Sequence, residues 1–172
     1  FTASGLPEVY KRPVAAYADA GFAREAREIS AATFIAHIRY ASTGGLSLPN
    51  THPFLQAGRL FAHNGVIGDL PRLESSLGDA RRLVHGDTDS ERLFALITKY
   101  TEDSGDVGEA IVRAVRWVAR TLPLYAANLI VTTAAELWAL RYPETHPLYV
   151  LSRAPGGPHG NRHLEHASAP GT

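Results

Sequence analysis

The sequence predicts an α+β domain in which sheet is layered against helix. Three observations predict it. Short β-rich apolar segments occur in the first half of the chain and again from about residue 126. Between them, two apolar patterns at helical spacing follow each other, over 88–100 and 107–120. The chain has 172 residues, 45% of them hydrophobic, which is enough for one sizeable core and fits one domain rather than two. Strands, then helices, then strands is the order of a layered α+β domain. There is no internal repeat.

The elements follow in order. Phe1 to Pro13 reads as a broken hairpin, with Ala3-Ser4-Gly5 as turn chemistry and Glu8-Val9-Tyr10-Lys11 as a short strand. Asp19 can cap a helix running to about Ile29, with Phe22, Ala23, Ala26 and Ile29 on one face. Thr33 to Tyr40 is rich in β-formers and is expected to be a buried strand. Ser42 to Pro53, with Gly44, Gly45, Pro49, Asn50 and Pro53, is a loop. Arg59 to His63 is a short strand, and Asp69 to Leu77 a short helix that admits Pro71 in its first turn. Thr88 and Glu91 form a capping box ahead of Leu93, Phe94, Leu96 and Ile97, which predicts a helix to about Tyr100. A second helix follows from about Val107 to Arg120, with Ile111, Ala114, Val115 and Val118 in step. Three strands are expected after it, over 126–132, 136–142 and 148–152. Residues 154–172, rich in Gly, Pro, His and Ser, form a loop or disordered tail.

Composition excludes several function classes. Seventeen basic residues balance seventeen acidic ones, so there is no basic stripe of the kind a nucleic-acid binder carries. No apolar run is long enough to span a bilayer, and no signal-peptide pattern opens the chain. The default expectation is a soluble cytoplasmic enzyme or binding module. Cysteine is absent, which excludes disulfides and thiolate metal sites within these residues. Methionine is absent too, and Phe1 reads as an internal start. The basic residues are almost all Arg, a bias suggesting a GC-rich bacterial genome.

Four segments carry the polar chemistry: His37-Ile38-Arg39-Tyr40-Ala41-Ser42, Asn50-Thr51-His52-Pro53-Phe54, His63-Asn64-Gly65, and Gly86-Asp87-Thr88-Asp89-Ser90-Glu91. Each falls at a strand end, in a loop or at a helix start, where a scaffold presents polar groups. Arg39 could clamp a carboxylate with two parallel hydrogen bonds, or form a structural ion pair at a sheet end. Asp89, in the first turn of its helix, could meet an ammonium group or simply stabilise the helix N-terminus. Asn64-Gly65 has two readings. It is a strong hairpin signal, although the strand after it would be broken quickly by Gly68, Asp69 and Pro71. Alternatively the Asn64 amide and the Gly65 N–H are two donors for a developing oxyanion, with glycine allowing close approach. His37, His52, His63 and His85 lack metal-ligand spacing, and His159, His163 and His166 lie on the tail, so no metal is expected.

Taken in order, the four segments resemble the glutaminase domain of class II glutamine amidotransferases. The pattern matched is His-x-Arg-x-Ala-Ser/Thr, Asn-Thr/Ala-His-Pro, His-Asn-Gly and Thr-Asp-Ser/Thr-Glu, and the resemblance runs from about Leu6 to about Arg153. It is nearest to the small stand-alone bacterial members. It implies the N-terminal-nucleophile hydrolase fold, a four-layer αββα sandwich, here expected to be incomplete at both ends. The glutaminase domain would cover residues 1–153 without the strand that carries the family's N-terminal nucleophilic cysteine. By resemblance, Arg39 holds the substrate α-carboxylate, Tyr40 and Ser42 shape that pocket, and Asp89 holds the α-ammonium. Asn64 and Gly65 form the oxyanion hole, while His52 and His63 brace the loops. The implied activity is cleavage of the side-chain amide of glutamine or a γ-glutamyl compound, with no cofactor and no metal. The fragment itself, having no thiol, is expected to be inactive. Thr2 and Ser4 sit beside a turn and make poor replacement nucleophiles. The alternatives are an amino-acid-binding domain that has lost its nucleophile, or an ammonia donor to a separate synthase. No nucleic acid or membrane partner is expected, and a homodimer is compatible with the sequence.

Overall fold

The computed structural model describes residues 1–31, 33–39 and 44–150. Its centre is a four-stranded antiparallel sheet in the order β1-β2-β3-β4, made of Phe54–Gln56 (β1), Arg59–Ile67 (β2), Leu124–Thr132 (β3) and Leu137–Leu140 (β4). Four α-helices accompany it: α1 (Ala20–Glu28), α2 (Leu70–Ser76), α3 (Asp89–Ser104) and α4 (Val107–Thr121). Short 3-10 turns occupy Ala16–Ala18 and Gly78–Leu83. The architecture among the described residues is therefore α+β, one sheet with one helical layer.

Local chemistry sets the helix ends. Asp19 caps α1 by accepting from the N–H groups of Gly21 and Phe22, and Asp69 caps α2 ahead of Pro71. Thr88 caps α3 through the Glu91 N–H, whereas the Glu91 carboxylate reaches back to the Gly86 N–H rather than to the cap residue. Gly105, at φ 76°, ends α3 in the left-handed conformation, and Asp106 at once caps α4. α4 buries one stripe, Ala110, Ile111, Ala114, Val115 and Val118. α3 is buried on nearly every side because α4, the sheet and the 70–83 segment all pack against it.

The core lies between α3, α4 and one face of the sheet. Phe61 of β2 stacks on Phe94 of α3 with ring centroids 4.8 Å apart, and both are fully buried. Leu93, Leu96, Ile97, Val118, Leu129 and Val131 complete the layer. Each such side chain contributes about 1.5–3 kcal/mol of burial.

Several strand expectations fail. Residues 8–11 and 33–39 belong to no strand, and Phe34 and Ile38 are 72% and 69% exposed. Residues 148–150 likewise form no strand. β-propensity needs a partner edge to become a strand, and none is in register with these segments among the described residues. The chain's first residue is tied to the second of these segments, where the Phe1 amino group donates to the Thr33 carbonyl at 2.6 Å. β1 was not anticipated. It is joined to β2 by Ala57-Gly58, both at positive φ, the geometry of a two-residue hairpin turn that Asn-Gly usually marks. Tyr40, Ser42 and the expected 154–172 tail lie outside the described residues.

Candidate functional site

The Asn64-Gly65 hairpin reading is excluded by the pairing. Both residues lie inside β2, opposite Asn128 and Ala127 of β3. Asn64 is exposed and Gly65 half-buried. A Cβ at residue 65 would overlap the Ala126 carbonyl oxygen and the His63 ring, so the close approach of β3 and His63 requires glycine here. In an antiparallel strand, backbone N–H groups alternate between the two edges. The two-residue turn makes Gln56 and Arg59 a facing pair, which directs Arg59, Phe61, His63, Gly65 and Ile67 toward the β1 edge. β1 pairs only as far as Phe61, so the Gly65 N–H lies on an edge that β1 leaves open. The Ile67 N–H on the same edge donates to Asp89 Oδ2 at 2.8 Å.

The four polar segments meet around this edge. His37 Nε2 is 3.1 Å from Asn64 Oδ1. His63 Nδ1 is 2.9 Å from Ser90 Oγ, and its Nε2 reaches the Ala126 carbonyl at 3.3 Å. Asn50, 1% exposed, donates to the Gly45 carbonyl and accepts from the Asp87 N–H at 2.7 Å. Arg39 donates to the Gly44 and Gly45 carbonyls at 3.1 and 3.2 Å. Gly86 admits the contact with Asn50, because a Cβ there would collide with its side-chain oxygen. Arg92 fastens the same turn, donating to the Gly86 and Thr88 carbonyls and to Glu74.

Electrostatics follow burial. The His37 and His52 rings lie 4.1 Å apart, and His52 packs edge-on to Phe54. Burial, with the charge of His37 next, drives the His52 pKa down to about 2, and neither ring nitrogen has a hydrogen-bond partner. His37 is lowered mainly by burial, with its bond to Asn64 opposing. His63 is lowered by burial, with the nearby Asp89 charge opposing. All three are neutral near pH 7, which suits packing and hydrogen bonding rather than charge. Asp89 is 3% exposed, and among the described residues it forms no salt bridge. Among the described residues, no three His, Cys, Asp or Glu side chains are grouped so as to hold a metal ion.

A cavity of about 540 Å³ adjoins this cluster, lined by Arg39, His37 and His52 and otherwise largely by apolar side chains from the first 35 residues. Asn64, Gly65 and Asp89 are not among its lining residues. The structure thus links Asn64 to His37, Asp89 to β2 just beyond Gly65, and Arg39 to the loop that Asn50 fastens to residue 87. Of Arg39 and Asp89, only Arg39 lines this cavity. Sequence reasoning gave no role to Asn50, Ser90 or Arg92. Asn50 and Ser90 were detectable as parts of their motifs; Arg92 had no signal beyond its place on α3. Among the described residues no helix is long and apolar enough to cross a membrane.

Comparison with known proteins gives the frame for this geometry. A Haemophilus influenzae protein described as a glutamine amidotransferase is 29% identical over 136 residues, 75% of this chain and 45% of its own length. YafJ of Escherichia coli, described in the same way, is 31% identical over 139 residues, 75% of this chain and 52% of its own length. The chain thus spans about half the length of these relatives. The amidophosphoribosyltransferase of Archaeoglobus fulgidus is 34% identical over 83 residues, 46% of this chain and 18% of that protein. A glutamine aminotransferase class-II domain protein from Silicibacter pomeroyi superposes with a TM-score of 0.63 at 23% identity, covering 86% of this chain and 66% of that one. The described sheet and helices accordingly share the class II fold. The family model for class II glutamine amidotransferases matches residues 9–169, nearly the whole chain, and the chain belongs to that family.

Proposed function

We propose that this domain cleaves the side-chain amide of glutamine or of a γ-glutamyl compound, using a cysteine that lies outside this chain. The thiolate attacks the amide carbon and the carbonyl oxygen becomes an oxyanion. Asn64 Nδ2 and the Gly65 N–H donate to that oxygen. The C–N bond then breaks, ammonia or an amine leaves with a proton, and water cleaves the thioester to glutamate and the free thiol. Arg39 binds the α-carboxylate, a role to which the family resemblance adds Tyr40 and Ser42; Asp89 binds the α-ammonium; His52 and His63 brace the loops. The carrying observation is that Gly65 places its N–H on the open edge of β2, next to the exposed Asn64. The buried Asp89 carboxylate, without a salt bridge among the described residues, favours a cationic ligand group.

The test is glutamate release from a panel of γ-glutamyl amides by the full-length protein and its Asn64→Ala variant. Loss of one oxyanion donor is expected to lower kcat by roughly a hundredfold, about 3 kcal/mol, with KM little changed. A kcat within about twofold of the parent would reduce Asn64-Gly65 to a structural piece of β2 and overturn the reading.

A further inference from the structure

A side-chain amide has two ends, and only its N–H end can serve an oxyanion. Which end Asn64 turns toward the substrate is therefore as important as its presence. Among the described residues, one side chain bonds this amide: His37, whose Nε2 lies 3.1 Å from Asn64 Oδ1. With the Asn64 amide oriented this way its oxygen only accepts, so the bond corresponds to the Nε2–H tautomer of His37. A neutral imidazole has a single N–H, and burial keeps His37 neutral. The His63 backbone also draws on the ring's proton, but Nδ1, which is buried, makes no hydrogen bond of sound geometry, which leaves the Nε2 contact with Asn64 as the better-formed one. The facing residue on β3 does not compete. Asn128 lies directly across from Asn64, but its own Nδ2 is committed to the His146 and Pro147 carbonyls, and its Oδ1 has no partner.

We propose that His37 is a positioning residue that donates from Nε2 to Asn64 Oδ1 and so holds Asn64 Nδ2 toward the oxyanion. The inference rests on the reading of Asn64 as an oxyanion donor. It assigns His37 no contact with the substrate and no proton transfer. Its job is to remove one of the two orientations the Asn64 amide would otherwise sample.

The experiment is a double-mutant cycle in the full-length protein, with steady-state kinetics on one γ-glutamyl amide and thermal melts to check folding. His37→Leu is expected to lower kcat about tenfold, part of what losing the whole donor costs, with KM within about twofold. His37→Gln, which can still donate an N–H, should recover most of that loss. In an Asn64→Ala background His37→Leu should cost nothing further, because the group it orients is gone. Should His37→Leu not fold, His37→Met supplies the same non-donating comparison. A kcat loss that persists undiminished in the Asn64→Ala background overturns the His37 inference alone. So does a loss expressed in KM, or one that His37→Gln does not relieve. An Asn64→Ala variant with unchanged kcat overturns the oxyanion reading itself, and the His37 inference falls with it.

Discussion

His52 is a histidine kept uncharged by its surroundings, and that has a consequence for stability. Its folded pKa is about 2, while an unfolded histidine titrates near 6.5. Below pH 6.5 the unfolded chain therefore takes up a proton that the folded site refuses. Stability from this residue is complete above the unfolded pKa and falls as pH drops below it. Between pH 7 and pH 5 the loss from His52 alone comes to about 2 kcal/mol. Urea unfolding at those two pH values should show a smaller drop for His52→Leu than for the parent. An equal drop in both would mean that His52 is protonated in the folded protein. His37 and His63, lowered in the same direction, leave a residual acid sensitivity. Arg39 makes a different prediction, in the full-length protein. Arg39→Lys keeps the charge but loses the planar fork that holds two loop carbonyls and would match a carboxylate. Steady-state kinetics should show KM rising by about tenfold or more, the size of a lost charged hydrogen bond. An unchanged KM would remove Arg39 from substrate binding.

At the scale of elements, β2 and the start of α3 carry the candidate site, and Asn50 fastens the loop ahead of β1 to residue 87, just before α3. Its amide bridges the Gly45 carbonyl and the Asp87 N–H. Asn50→Ala should cost about 2 kcal/mol, because two hydrogen bonds made by a buried side chain are lost, each worth about 1 kcal/mol. In a chain of this size that lowers Tm by about 4–8 °C in a thermal melt. A shift under one degree would show that the loop is held by other contacts. The helices were legible because their signals are local. The caps at Asp19, Asp69, Thr88 and Asp106 and the stripe on α4 lie within a few residues of the turns they govern. Strands were less so. Thr33 to Ile38 has the composition of a strand yet stays outside the sheet, while β2 runs straight through Asn64-Gly65. Neither outcome is encoded nearby: the first depends on a missing partner edge, the second on Ala126 and Ala127 from some sixty residues away.

For the whole molecule, one layer of helix on one face of sheet supplies the core, and Phe94 sits at its middle against Phe61. Phe94→Ala should destabilise by about 3–5 kcal/mol, measured by denaturant unfolding, because a cavity is left where two elements meet. The chemistry is predicted to be separable from this scaffold. The 172-residue chain contains no cysteine, and purified alone it should release no glutamate from glutamine. Sustained turnover by this chain would refute the thiol mechanism and direct attention to Thr2 or Ser4. By itself, the sequence determined the α+β class and the four helices, and it singled out Arg39, Asn64, Gly65 and Asp89 as candidates for the site. Composition, capping and motif order are properties of neighbouring residues, and they survive without knowledge of the fold. Only the tertiary structure decided that Asn64-Gly65 is strand rather than turn, that β1 exists, and that Asn50, Ser90 and His37 join the four segments. Apart from the local β1–β2 hairpin, those outcomes rest on hydrogen bonds between residues far apart in the chain, and such pairings are chosen by the packed molecule as a whole.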